Sequence, residues 1–180
     1  MLNRRNLLLA TSAAAWPPVR AATPGEVPVG QPLREASLRG LNGPQRQLSS
    51  FRGRPLVINV WASWCGPCRA EMASLERLAW GPLAAHLTVI GISTDDYIDK
   101  ALAFLRQSNA TINHYLDRQL EMEHMLGATH LPLTVLVDAQ GRVRDKISGA
   151  QPWDSAEAQR LIEGRLGIKA AVRRPGVKSS

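Results

Sequence analysis

Apolar and polar positions along this chain follow two periods, and the places where one gives way to the other mark the elements. Glu35-Ala36-Ser37-Leu38 and Arg46-Gln47-Leu48 are short alternating runs on either side of Asn42-Gly43, which predicts a β-hairpin. Pro55-Leu56-Val57-Ile58-Asn59-Val60-Trp61 is almost continuously apolar, the pattern of a strand buried on both faces. Met72, Leu75, Leu78 and Ala79 then recur at helical spacing, so a helix is expected from Cys65 to a stop at Gly81-Pro82. Residues 87–93 predict a second buried strand and 99–107 a second helix. A short strand over 113–116 and a short helix over 120–126 follow. A strand over 133–137 then turns through Ala139-Gln140-Gly141 into a hairpin partner over 143–148. Asp154 or Ser155 is placed to cap a last helix that runs to about Leu166. The order is hairpin, βαβα, second hairpin, helix. That order gives an α/β fold, a mixed sheet covered by helices on both sides.

Length and charge refine this picture at the two ends. The chain has 180 residues, 44% of them hydrophobic, which suits one domain with a full core and tails. Its formal charge is +7. Residues 1–21 carry three of the basic residues, Arg4, Arg5 and Arg20, and no acid. The last sixteen carry five, Arg165, Lys169, Arg173, Arg174 and Lys178, and no acid, so the middle is left at −1. The basicity therefore belongs to the ends and does not argue for a nucleic-acid partner. Arg4-Arg5 ahead of ten apolar residues, 7–16, reads as an export signal, too short to span a bilayer. Val19-Arg20-Ala21 places small residues for cleavage after Ala21, with Ala22 as the other position. The arginine pair followed by leucines fits a twin-arginine signal, and an ordinary secretory signal fits as well. Residues 22–31, rich in proline and glycine, are expected to be a linker, 32–166 the domain, and 167–180 a basic disordered tail.

The chemistry is concentrated in Trp64-Cys65-Gly66-Pro67-Cys68, which holds both cysteines of the chain. Closing so short a loop constrains little of the unfolded chain, so this spacing makes a redox couple rather than a staple. Cys65 is expected at a helix N-terminus, where the dipole and free N–H groups favour thiolate, and Cys68 one turn further on the same face. Pro67 suits the first helical turn. A Cys-x-x-Cys after the first strand of a βα unit reads as a thioredoxin-like motif.

With those residues in place, the chain resembles the periplasmic thioredoxin-like reductases of the TlpA/ResA/CcmG (DsbE) group over residues 32–166. The run Leu48-Ser49-Ser50-Phe51-Arg52-Gly53-Arg54 leading into the strand and motif carries the likeness. So do Glu71, Leu131-Pro132-Leu133-Thr134-Val135-Leu136-Val137-Asp138 and Ala139-Gln140-Gly141-Arg142-Val143. The resemblance implies a thioredoxin-like fold with an N-terminal hairpin and a strand–helix insert between residues 87 and 127. It implies a thiol–disulfide oxidoreductase whose only redox group is the Cys65–Cys68 disulfide. Thioredoxin has a buried Asp where this chain has Asn59, and Glu71 is the natural replacement for moving a proton to or from Cys68. Pro132 is implied to be a cis-proline beside the disulfide, with the Leu131 backbone pairing an incoming peptide. Trp64, Gly66 and Pro67 complete the substrate-facing rim, and Trp61 is expected in the core.

The expected partners are oxidised cysteine pairs in apocytochrome c or copper-site assembly proteins. The expected electron donor is a membrane protein of the DsbD/CcdA kind, and the expected compartment is the periplasm. The alternative is a Sco-like copper chaperone, with His130 joining Cys65 and Cys68, although such chaperones keep three residues between their cysteines. His86, His114 and His124 are expected at the surface or as satisfied polar groups.

Overall fold

The computed structural model describes residues 24–168. The expected export signal over 1–21 and the tail from 169 onward lie outside the described residues. The elements are β1 (Ser37–Gly40), β2 (Arg46–Gln47), β3 (Leu56–Trp61), α1 (Gly66–Trp80), β4 (Thr88–Ser93) and α2 (Ile98–Gln107). They continue with β5 (Asn113–Leu116), α3 (Glu121–Leu126), β6 (Leu133–Val137), β7 (Val143–Ser148) and α4 (Ala156–Leu166). The strands form one seven-stranded sheet in the order β2-β1-β5-β4-β3-β6-β7. β3, β4 and β5 run parallel, and β6 and β1 join their two sides antiparallel. This is the mixed sheet that the element order predicts and the thioredoxin-like fold that the resemblance implies.

β3 lies at the centre, and all six of its residues are buried. Pleating sends successive side chains to opposite faces. Leu56, Ile58 and Val60 join one core with Ile90, Ile92, Met122, Met125, Val135 and Val143. Val57 and Trp61 join the other core with Met72, Leu75, Leu78, Phe104, Leu136 and Ile162, and this core also takes in both cysteines. Asn59 shares the second face, so a polar group is forced into the layer under α1. The parallel connections carry the loops after β3 and β4 to one edge of the sheet, where α/β folds place their sites.

Two expectations change. Residues 24–31 are not a free linker but a strap. Val27 is buried, its N–H donates to Met125 O at 2.8 Å, and Gly30 and Gln31 exchange backbone bonds with Val143. Pro32 bridges Arg142, and Glu26 pairs with Lys146 on β7. The strap thus pairs the backbone at the start of the β7 edge, which would otherwise be unpaired. At the other end, Gly167 takes a left-handed conformation (φ 64°) to close α4, and Ile168 packs on the core instead of starting the tail.

His114 is neither at the surface nor fully satisfied. It sits wholly buried on β5, where its Nδ1 accepts from Trp61 Nε1 at 3.0 Å and its Nε2 has no partner. Gly91 on β4 makes the space, because a Cβ there would lie 2.0 Å from His114 Nδ1. Burial holds the imidazole pKa down at about 3. The unfolded chain, with a normal histidine, binds the proton first, so this group's stability contribution is complete above pH ~6.5 and drains away as pH falls toward 3. His114→Asn keeps an acceptor for Trp61 and removes the titration. Denaturant melts between pH 6 and pH 4 should show the wild type losing stability faster than the variant, by about 1.4 kcal/mol per pH unit. Parallel pH profiles would contradict this account.

Candidate active site

The motif lies where β3 gives way to α1. Cys65 is the N-cap of α1, and its sulfur accepts from Cys68 N at 3.2 Å. Gly66 and Pro67 occupy the exposed first turn, where the missing proline N–H costs nothing. The two sulfurs are joined at 2.04 Å, with the Cα atoms 5.3 Å apart. Cys65 retains 5% of its surface and Cys68 none. Trp64 stands 73% exposed at the rim. The first turn of α1 carries no acid, so nothing there opposes the helix dipole's preference for a thiolate at Cys65.

The loop into the motif is held from β4. The buried carboxylate of Asp95 accepts from Ser63 N at 2.9 Å, Ser63 Oγ at 2.7 Å and Ser93 Oγ at 2.8 Å. This fixes the backbone two residues ahead of Cys65.

Glu71 is 2% exposed, one turn beyond Cys68. Its Oε1 accepts from Asn59 Nδ2 at 2.7 Å. Its Oε2 accepts from Trp153 Nε1 at 2.9 Å and from Gln151 N at 3.1 Å. Burial pushes the carboxyl pKa above its ordinary value, and the three N–H donors pull against that rise without cancelling it. The Asn59 amide also donates to Thr134 Oγ1 at 3.0 Å, while its own Oδ1 is buried without a partner. Turning that amide over would present Oδ1 to position 71, so the cage has a way to accept a protonated acid or a glutamine there.

Pro132 is buried at the start of β6, after a cis Leu131–Pro132 bond. Leu131 is partly buried against both cores and lies beyond the last β3–β6 pair, Val60–Leu133. Pro132 O accepts from Gly149 N at 2.9 Å, which joins this turn to the loop that carries Gln151 and Trp153. His130 is exposed, with its Nδ1 3.2 Å from Thr129 Oγ1. Among the described residues no three His, Cys, Asp or Glu side chains converge on a metal-holding arrangement.

The Redoxin family model matches residues 28–162. This chain belongs to the Redoxin family. It is 34% identical over 137 residues to the thiol:disulfide interchange protein DsbE of Pseudomonas aeruginosa, which covers 70% of this chain and 71% of that one. It is 27% identical over 123 residues to the thiol-disulfide oxidoreductase ResA of Geobacillus thermodenitrificans, covering 68% and 71%. The crystal structure of a putative DsbE from Chlorobium tepidum superposes with a TM-score of 0.71 at 26% identity, over 78% of this chain and 99% of that one. This redoxin is accordingly a thiol–disulfide oxidoreductase of the DsbE/ResA type, with its cysteine pair at disulfide distance.

Sequence reasoning placed Cys65, Cys68, Glu71 and Pro132 but missed Gln151, Trp153 and Asp95. Gln151-Pro152-Trp153-Asp154 reads as the approach to a helix and carries no periodic signal. A tryptophan isolated in so polar a stretch was the one available hint.

Two outcomes follow for this site. Alkylation of the reduced protein at neutral pH should modify Cys65 at least ~10-fold faster than Cys68, and equal rates would refute the division of labour. Glu71→Gln should fold, and it should change the pH dependence of thiol reactivity. A raised carboxyl pKa means that the folded state pays for ionisation as pH climbs above 4.5, so the wild type should lose stability relative to the variant over that window. A constant stability difference across pH 4–7 would return Glu71 to the status of a plain helix carboxylate.

Proposed function

We propose that this protein reduces disulfides in exported proteins that carry closely spaced cysteine pairs, and that apocytochrome c or copper-site assembly proteins are its substrates. The observation that carries this reading is the unequal pair. Cys65 reaches the surface at a helix N-cap, Cys68 is sealed behind it, and a buried carboxylate stands one turn further on.

In the reduced state the Cys65 thiolate attacks one sulfur of the substrate disulfide. An S–S bond forms between them, and the other substrate sulfur leaves as a thiolate that takes a proton from solvent. Cys68 gives its proton to Glu71 and attacks the Cys65 sulfur. The Cys65–Cys68 bond forms, the mixed disulfide breaks, and the second substrate sulfur leaves. Two electrons pass to the substrate. Pro132 and the Leu131 backbone hold the incoming peptide in extended form, and Trp64 flanks it.

Gly66-Pro67, the dipeptide of thioredoxin, supports the reducing direction. A reductant outside the cytoplasm must be recharged, and a membrane dithiol donor of the DsbD/CcdA kind fits that need. Export to the periplasm, with cleavage near Ala21, rests on the sequence of the first 21 residues. Among the described residues no helix is long and apolar enough to cross a membrane.

Equilibration with a thiol buffer should give a potential of roughly −250 mV, between the glutaredoxin and thioredoxin values, and a value near −120 mV would make the protein an oxidant. In the same preparation, Cys68→Ser should trap a mixed disulfide with an oxidised Cys-x-x-Cys peptide, and Cys65→Ser should trap none.

A further inference from the structure

The segment between β7 and α4, residues 149–153, is sewn to both halves of the site. Gly149 N donates to Pro132 O at 2.9 Å, which fastens the segment to the cis-proline turn. Its other end grips α1. Trp153 Nε1 and Gln151 N both donate to Glu71 Oε2. Ser74 Oγ donates to Gln151 O at 3.2 Å and receives Trp153 N at 3.2 Å. The Trp153 side chain is wholly buried, yet a core position next to Ile162 and Leu136 needs only a large apolar ring. The indole N–H is aimed at a carboxylate oxygen, and that donor is what a phenylalanine would lack.

We infer that Trp153 is a positioning residue for the thiol chemistry: its indole N–H holds the Glu71 carboxylate in its ionised, proton-accepting state, and so sets the pH at which Cys68 can be deprotonated. This rests on the proton role given to Glu71 above and adds the group that controls it. The groups that face the carboxylate are Asn59 from β3 and Gln151 and Trp153 from the 149–153 loop, and Cys68 precedes it by three residues on α1. The acidity of Glu71 is set by burial on one side and by the three N–H donors on the other, and of the two side-chain donors the indole has the larger effect. A donor to the charged form lowers a carboxyl pKa, so taking one away must raise it. Gln151 supplies a backbone N–H that no substitution but proline removes. Trp153, like Asn59, is therefore a donor that a side-chain substitution can remove, and unlike Asn59 it makes no second hydrogen bond through that side chain.

The test compares wild type, Trp153→Phe, Glu71→Gln and the double variant. In the oxidised protein, the carboxyl carbon of Glu71, followed by NMR against pH, should titrate about 0.5–1 unit higher in Trp153→Phe. In the reduced protein, the pH midpoint of Cys68 reactivity should move the same way. In the Glu71→Gln background, Trp153→Phe should leave the pH profile unmoved, because the group it acts through is gone. Replacing Trp153 with benzothienylalanine, an indole isostere without the N–H, should reproduce the Phe result with the packing intact, which covers the case in which the Phe variant folds poorly. An unshifted Glu71 titration in the isostere would overturn the inference. So would an equal pH shift with and without Glu71. The carboxyl titration does not depend on the direction of electron flow, so a failed reductase assignment would leave it standing.

Discussion

Every residue of β3 is buried, and this constraint organises the rest of the molecule. A strand covered on both faces must be apolar, or must have each polar group answered from a neighbouring element, because a buried unpaired amide costs about 1–3 kcal/mol. Asn59 is the one polar residue in that strand. Its amide fixes what surrounds it: Glu71 descends from α1 on one side, and Thr134 stands opposite on β6 at the paired position. A carboxylate brought that deep needs further donors, and the loop before α4 supplies them. The polar network under the disulfide thus begins at a single strand position, and Asn59 Oδ1 is the one atom of that side chain it leaves without a partner.

The same network explains why the two cysteines differ although they are three residues apart. Cys65 belongs to the loop and caps the helix. Cys68 belongs to the helix and faces the core that β3 and β6 define. A thiol that keeps a sliver of surface at a helix N-cap is suited to attack. A sealed thiol with a buried acid one turn away is suited to resolve, since it meets no competing reagent and gives up its proton only inward. The division of roles comes from the boundary between loop and helix, and Asp95 keeps that boundary in place by gripping Ser63 from the end of β4.

Local patterns revealed the elements well and the cross-links poorly. The strand over 55–61, the helix opened by the motif and the hairpin across 133–148 are each carried by several residues that repeat one period, so they were legible. The hairpin about Asn42 was legible from its turn alone. That Asn42 also bonds Ile112 O and His114 N was not, since partners 70 and 72 residues away leave no periodic trace. The strap at 24–31 was misread because proline and glycine do signal irregular backbone, but irregular backbone also serves to cover a sheet edge. His114 was misread because one histidine in a four-residue strand looks like any polar position. Gly91, a glycine inside an otherwise apolar strand, was the readable sign that something large approached there.

The cage around Glu71 has a property that a simple salt bridge would lack. Its donors are an amide, an indole and a backbone N–H, none of which changes charge near neutral pH, so the proton affinity of the acid depends on geometry alone. Three such donors in a dry site stabilise the anion strongly, and burial offsets them, leaving the carboxyl able to take and return a proton. A charged partner in the same place would pin Glu71 as an anion and leave it unable to accept a proton from Cys68. Neutral donors, together with an Asn59 whose free Oδ1 can be turned toward a protonated acid, let both states of Glu71 exist in one fold. Among the described residues the donors to this carboxylate are all neutral, and an arginine or lysine introduced beside Glu71 would be expected to lower its pKa and hold it ionised.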